Sequence, residues 1–139
     1  VPTHVDDISL NKAAIIERSI RRMREELFAD PELDDFTHID AMTLNVERAC
    51  QAAIDLAMHV VAEHHLGMPQ STAEAFDLLR DNGFIEEPQA ARLRAMVGFR
   101  NVAVHQYQQL DMGILRRIVE QDWQDLVVFC RSLGLRIEP

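Results

Sequence analysis

The chain has 139 residues, 47% of them hydrophobic, and its 23 Asp and Glu residues outnumber its 14 Lys and Arg residues, which gives a formal net charge of -9. This length and composition suffice for one hydrophobic core, so we expect a single domain over residues 1–139 and exclude disordered and collagen-like chains. The acidic balance also excludes a protein that coats nucleic acid non-specifically, because such binding needs many cations, but it is compatible with a small local site for a few phosphates.

Apolar residues recur every three or four positions through almost the whole chain, and this period predicts an all-α fold. The first helix is predicted over residues 8–28, where Asp30-Pro31 ends it. The second and longest helix is predicted over residues 37–66, with a capping box of the spacing Thr37-x-x-Asp40 at its start and Gly67 as its stop.

Three further helices are predicted in the second half of the chain. Ser71-x-x-Glu74 is another capping box, which predicts a short helix that stops at Asn82-Gly83. Pro88 suits the first turn of a fourth helix, which is expected to end shortly before Asp111, the expected N-cap of the last helix. That helix is predicted to run to about residue 133, with Gly134 as its cap. Because every connection is short, we expect an up-and-down bundle of antiparallel neighbours with one short accessory helix.

The sequence gives no sign of a membrane or a secreted protein. Its longest uninterrupted apolar runs, such as residues 126–130, are far below the roughly 20 residues of a membrane-spanning helix. Residues 1–7 lack the basic and apolar regions of a secretory signal. Cys50 and Cys130 each lie in an apolar stretch without a Cys-x-x-Cys pairing, which favours buried free thiols. We therefore expect a cytoplasmic protein that does not associate with a membrane.

A group of polar residues interrupts an otherwise apolar, small-residue segment near the end of the predicted fourth helix. The group consists of Arg100, Asn101, His105 and Tyr107. At about 100° per residue, Asn101 and His105 lie one turn apart on one face, whereas Arg100 and His105 differ by roughly 140°. One continuous helix therefore cannot aim Arg100 and His105 at one small atom, and a shared site needs a second copy, as a two-fold dimer supplies.

These residue types suit the cleavage of RNA, in which the 2′-hydroxyl is the internal nucleophile. Histidine ordinarily titrates close to neutral pH, so a histidine at position 105 can act as general base or acid. Arg100 can make bidentate hydrogen bonds to phosphoryl oxygens as negative charge develops. Asn101 can orient the imidazole or donate to the phosphate. The alternative is structural: Arg100 pairs with an acidic side chain, Asn101 caps locally, and His105 and Tyr107 end a helix at a packed interface.

The string Arg100-x4-His105-x-Tyr107, with Asn101 directly after the arginine, resembles the Arg-x4-His-x-Tyr signature of the HepT-like toxins of the HEPN superfamily. Similar segments occur in the usual order at residues 45–55, 67–69, 75–84 and 93–100, so that the resemblance covers about residues 10–133. It implies a dimeric α-helical bundle that cleaves RNA without a metal ion. It also implies a MntA-like minimal nucleotidyltransferase antitoxin, which adenylylates the motif tyrosine. Carried over by position, Arg100 and His105 are catalytic, Asn101 supports them, and Tyr107 is modified.

Three other polar groups invite a functional interpretation. The first lies near the end of the second helix, where the spacing of His59, Glu63 and His64 suggests a metal site. The sequence shows no obvious third ligand for it, so we expect neither a metal nor a cofactor. A basic face on the first helix, which can guide an RNA backbone or pair with neighbouring glutamates, comprises Arg18, Arg21 and Arg22. A polar stripe on the second helix comprises Arg48, Gln51 and Asp55. It can line a cleft beside the motif or support a dimer contact.

The leading hypothesis is therefore a toxin of a toxin–antitoxin pair that acts as a metal-independent endoribonuclease. Its expected partners are an RNA substrate, a MntA-like nucleotidyltransferase antitoxin and a second copy of the chain. The main alternative is a catalytically silent helical dimer that binds a nucleotide or serves as the substrate and scaffold of its nucleotidyltransferase partner. A third possibility is an independent helical adaptor.

Overall fold

Helices dominate residues 5–139, the part of the chain that the computed structural model describes. The expectation about a secretory signal rests largely on residues 1–4, which lie outside the described residues. In chain order, the elements are α1 (Asp7–Ala29), α2 (Phe36–Glu63), α3 (Thr72–Asp81), α4 (Glu87–His105), a 3₁₀ turn (Tyr107–Gln109), α5 (Met112–Arg117), a π-helical segment (Ile118–Asp122) and α6 (Trp123–Ser132). The described residues contain no β-strand. The predicted all-α bundle with a short accessory helix, α3, is confirmed.

The side chains at the helix starts explain where most helices begin. Ser71 Oγ accepts a hydrogen bond from the backbone N–H of Glu74 at 3.2 Å, and Asp111 Oδ1 accepts one from Gly113 at 2.8 Å. Both predicted caps are confirmed. The predicted capping box of Thr37 and Asp40 is wrong, because Asp35 caps α2 and accepts from the backbone N–H of Thr37 at 2.8 Å. The Asp40 carboxylate is thereby left free for a tertiary contact.

Two helices end earlier than the sequence predicts. Helix α2 ends at Glu63, because His65 adopts a left-handed backbone conformation with φ of 55° before Gly67 is reached. Helix α4 ends at His105, because Gln106 leaves the helical region with φ of -141° and ψ of 50°. The second break determines the direction of the segment that carries Tyr107.

Pairs of contacting residues show that neighbouring helices run antiparallel. Helices α1 and α2 are joined by Lys12 with Asp55 near one end and Glu26 with His38 near the other. The residue numbers therefore rise along one helix as they fall along its neighbour. Pairs with the same order join α2 to α4 and the turn that follows it: Gln51 with Arg100 and Asp40 with Tyr107. Others join α3 to α4, namely Arg80 with Glu87 and Asp77 with Arg94. The last join α4 to α6, namely Gln89 with Ser132 and Arg92 with Asp125.

One hydrophobic core runs through the bundle, and every helix contributes to it. Phe76 of α3 and Phe129 of α6 meet edge to face within it, with ring centroids 5.5 Å apart. Cys50 and Cys130 are buried and free, as predicted, and burial raises the pKa of both thiols to about 12. Within the described residues, none of the helices is both long and apolar enough to cross a membrane.

Candidate functional site

The polar motif of α4 packs against the first half of α2. Asp40, Glu47 and Gln51 of α2 are spaced by seven and four residues, which places them within about 40° of one another on one helical face. Arg100 contacts Gln51 and Tyr107 contacts Asp40. The face of α2 formed by these three residues, together with the segment from Arg100 to Tyr107, is called the motif cleft below.

Arg100 is held at the motif cleft by two hydrogen bonds. Its Nη2 donates to Gln51 Oε1 at 2.6 Å, and its Nη1 donates to Asn101 Oδ1 at 2.9 Å. Its Nε is buried and has no hydrogen-bond partner among residues 5–139. Because a guanidinium carries five N–H donors, these contacts fix its plane while leaving donors for an oxyanion.

A chain of polar contacts behind Arg100 fixes the orientation of Gln51. The Nε2 of Gln51 donates to Asp55 Oδ1 at 2.9 Å, and Asp55 Oδ2 accepts from Lys12 Nζ at 3.3 Å. Since a carboxylate only accepts hydrogen bonds, Asp55 turns the amide so that its oxygen faces Arg100. Two members of the predicted polar stripe therefore support the motif, whereas the third, Arg48, is exposed.

Acidic groups and burial shape the electrostatics beside Arg100. The pKa of Glu47 is raised overall, because the effect of its partial burial outweighs the lowering effect of the positive charges of Arg100 and Arg48. Cys50 lies beneath the same face, and its pKa of about 12 makes its thiol unsuitable as a nucleophile, since the thiolate is the reactive form. Chemistry at the motif cleft therefore has to use groups other than this thiol.

His105 is the last residue of α4 and is exposed. Its imidazole makes no hydrogen bond within the described residues, and the amide oxygen of Asn101 accepts a hydrogen bond from Arg100. Arg100 is meanwhile directed toward α2. Within one chain, the structure therefore does not bring Arg100 and His105 onto a common partner, in keeping with their angular separation on the helix.

Tyr107 lies beyond the end of α4, in the 3₁₀ turn, and its side chain is 43% exposed. Our expectation that it continues the helix of Arg100 is wrong, because the break at Gln106 turns its phenol toward α2, where Oη donates to Asp40 Oδ1. This hydrogen bond, with some burial and the charges of Asp40 and Glu47, raises the pKa of Tyr107 to about 12. Asp40 was not predicted as a member of the site, although it lies eleven residues before Gln51 of the predicted polar stripe and therefore on the same helical face.

The basic face of α1 is largely engaged by its own acidic residues. Arg22 contacts Glu25 at 2.6 Å and Glu26 at 2.8 Å, and Arg21 lies 4.0 Å from Glu17. Arg18 is exposed. The pairing with neighbouring glutamates that the sequence allowed thus accounts for two of the three arginines.

The histidines near the end of α2 form a different cluster from the one suggested by their spacing. His59 Nε2 lies 2.7 Å from Asp6 Oδ2 and 3.1 Å from Glu63 Oε2, whereas His64 packs edge to face against Phe84. Asp6 thus supplies the third group that the sequence did not reveal. It also accepts the backbone N–H of Ser9 as the cap of α1, and these contacts hold its pKa well below its usual range. Hydrogen bonding within the chain accounts for this cluster.

An apolar groove of about 440 Å³ lies beside the motif, between α4 and the last helical segments. Phe99, Val102, Ile114 and Ile118 are among its lining residues. Ile114 is 47% exposed, and Val104, on the neighbouring surface of α4, is 44% exposed. Apolar side chains are therefore exposed beside the C-terminal part of α4, although charged residues also line the groove: Arg92, Asp111, Arg117, Asp122 and Asp125.

A protein-family model described as "Ribonuclease HepT-like" matches residues 10–133, and the match includes the whole motif cleft. The chain belongs to this family. HepT-like relatives include the mRNA nuclease HepT of Shewanella oneidensis, which is 39% identical over 127 residues, covering 90% of this chain and 95% of the relative.

Solved structures of HepT-like relatives agree with this assignment. A structure of the tri-AMPylated Shewanella oneidensis HEPN toxin in complex with MNT antitoxin superimposes with a TM-score of 0.88 at 38% identity and covers 94% of this chain and 98% of that one. A toxin–antitoxin structure with AMP-PNP gives a TM-score of 0.87 at 37% identity, with 93% and 99% coverage. The predicted family and its fold are confirmed.

Proposed function

We propose that the chain is the toxin of a toxin–antitoxin pair and acts as a metal-independent endoribonuclease. The observation that carries the proposal is the placement of Arg100, which two amide oxygens hold at the motif cleft with donors to spare. Similarity to an mRNA nuclease over 90% of the chain supports the reaction class.

The proposed chemistry needs only proton transfer and charge stabilisation. His105 removes the proton of the RNA 2′-hydroxyl, whose oxygen attacks the adjacent phosphorus. Arg100 donates hydrogen bonds to the phosphoryl oxygens as their negative charge grows. The bond from phosphorus to the 5′-oxygen breaks, and that oxygen receives a proton from His105 of a second copy. The products carry a 2′,3′-cyclic phosphate and a 5′-hydroxyl.

The second histidine requires a homodimer, which we propose to form around the C-terminal part of α4. Arg100 points toward α2, whereas His105 is exposed at the end of α4. A two-fold axis beside α4 therefore places the motif of the second copy opposite each Arg100. The exposed apolar side chains of Val104 and Ile114 and the adjoining groove favour the same surface. Arg18, which remains exposed on α1, is the member of the basic face best suited to meet the RNA backbone.

We further propose that Tyr107 is the control point, adenylylated by a nucleotidyltransferase antitoxin of the MntA type. Its phenol is partly exposed and lies on the same cleft as Arg100. A nucleotidyl group there places an anionic phosphate beside the guanidinium that otherwise receives RNA, and it also occupies the volume of the cleft. Both solved relatives described above are toxin–antitoxin structures, and in one of them the toxin is AMPylated, which supports this mode of control.

The decisive experiment is RNA cleavage by the purified, unmodified chain in EDTA. His105→Ala and Arg100→Ala should each remove most of the activity, whereas the matched controls His64→Ala and Arg94→Ala, at positions away from the motif cleft, should retain it. Cleavage that depends on added metal, or that survives His105→Ala undiminished, refutes the mechanism. Absence of cleavage by every preparation, with partner binding intact, favours the silent scaffold instead.

A further inference from the structure

The contact between Tyr107 and Asp40 has no role in the proposed ribonuclease chemistry. Asp40 lies in the first turns of α2, five residues after the cap Asp35, and its carboxylate is exposed to solvent. It is not used for capping, because Asp35 accepts the backbone N–H of Thr37. Its Oδ1 instead accepts the phenolic hydrogen of Tyr107, although 67 residues of sequence separate the two.

We propose that Asp40 is the proton acceptor for nucleotidyl transfer to Tyr107, so that the modified protein itself supplies the base for its own modification. This inference rests on the proposed control by adenylylation. In the step, Oη of Tyr107 forms a bond to the α-phosphorus of ATP, and the bond from that phosphorus to the bridging oxygen of the β-phosphate breaks. Pyrophosphate leaves with the electron pair, and the phenolic proton passes to Asp40 and then to water.

The state of the phenol makes such an acceptor necessary. The pKa of Tyr107 is raised to about 12, chiefly by its hydrogen bond to Asp40, so a phenolate is not available at neutral pH. Its proton must therefore leave as the new bond forms, along the hydrogen bond that already exists. A carboxylate serves the same purpose in protein kinases, where an aspartate accepts the proton of the substrate hydroxyl.

The surroundings single out Asp40 among the groups that face the phenol. Glu47 contributes negative charge, and Thr43 contributes a hydroxyl, but the carboxylate in hydrogen-bond contact with Oη is that of Asp40. Exposure of Asp40 to solvent lets the proton escape after transfer. Comparing substitutions of Asp40 and of Glu47 therefore distinguishes the acceptance of a proton from a general effect of negative charge.

The test measures the rate of AMP incorporation into the full chain by intact mass, with the MntA-type partner, ATP and magnesium, and locates the label by peptide mapping. Asp40→Asn retains an oxygen that can hold the phenol but accepts no proton, so kcat should fall by roughly 100-fold or more while KM for the chain changes little. Asp40→Glu should recover part of the rate. Glu47→Gln removes a neighbouring negative charge but leaves the proton acceptor in place, so it should lose far less of the rate than Asp40→Asn does.

The outcomes distinguish this inference from the proposed control. If the wild type is labelled at Tyr107 and Asp40→Asn is labelled equally fast, the inference fails while control by adenylylation stands. An equal loss of the labelling rate in Asp40→Asn and Glu47→Gln also overturns the inference, because a general effect of negative charge would then explain the loss. If the wild type gains no label at Tyr107, both fail. Unchanged circular dichroism and thermal unfolding of Asp40→Asn establish that its loss of rate is not a loss of fold.

Discussion

Replacing Gln51 with leucine tests whether the contacts behind Arg100 matter for catalysis. The change removes the oxygen that accepts Arg100 Nη2 at 2.6 Å while keeping a side chain of similar size. A hydrogen bond to a charged group contributes about 1.5–3 kcal/mol, and each 1.4 kcal/mol corresponds to a roughly tenfold change in rate. We therefore expect a roughly ten- to hundred-fold slower cleavage step.

The same change should leave the fold intact. Leucine also removes the hydrogen bond from Gln51 to Asp55, but the Asp55 side chain is 39% exposed and keeps Lys12 as an ion-pair partner. Pairs of this exposure contribute about 0–1 kcal/mol to stability. The loss in cleavage should therefore greatly exceed any loss in stability.

The assay is single-turnover cleavage of RNA in EDTA at saturating protein, combined with urea unfolding. Gln89→Leu is the matched control, because Gln89 is buried and bonded to Ser132 at 3.3 Å at the opposite end of α4. That variant should lose stability and keep the cleavage rate within about twofold, the scatter expected for a residue outside the site. If Gln51→Leu cleaves RNA at the wild-type rate while Arg100→Ala is inactive, Gln51 does not position Arg100 for catalysis.

Three further outcomes follow from the structure. Because the chain has one tyrosine, a pH titration of tyrosinate absorbance should report a Tyr107 pKa of about 12, and this pKa should fall toward 10 in Asp40→Asn. The stability that this contact contributes should be present below pH 10 and should be lost as the pH rises toward 12. An unchanged titration would contradict the contact. Phe129→Ala should lower the free energy of unfolding by about 3–5 kcal/mol in urea, because the ring is fully buried against Phe76; a loss below 1 kcal/mol would be too small for such burial. Ile114→Asp should yield monomers by light scattering and reduce cleavage, whereas a persistent dimer would move the interface elsewhere.

The sequence alone predicted the all-α fold and the starts of α3, α4 and α5. The Ser71–Glu74 cap, Pro88 in the first turn of α4 and the Asp111 cap depend on interactions within a few residues, and such interactions are readable from spacing. The angular separation of Arg100 and His105 follows from helix geometry in the same way. Each of these predictions depends only on interactions or angles between residues close in sequence, so it can be made from the sequence itself.

The tertiary structure decided which groups surround the motif. Gln51 meets Arg100 across 49 residues of sequence, and Asp40 meets Tyr107 across 67. The choice of Asp35 as the cap of α2 left Asp40 free, and the break of α4 at Gln106 turned Tyr107 toward it. Helical periodicity assigns a residue to a face of its own helix, but it does not specify which residue of a neighbouring helix lies opposite. That pairing depends on how the helices slide and rotate to bury their shared core, and it is set only when the whole bundle packs.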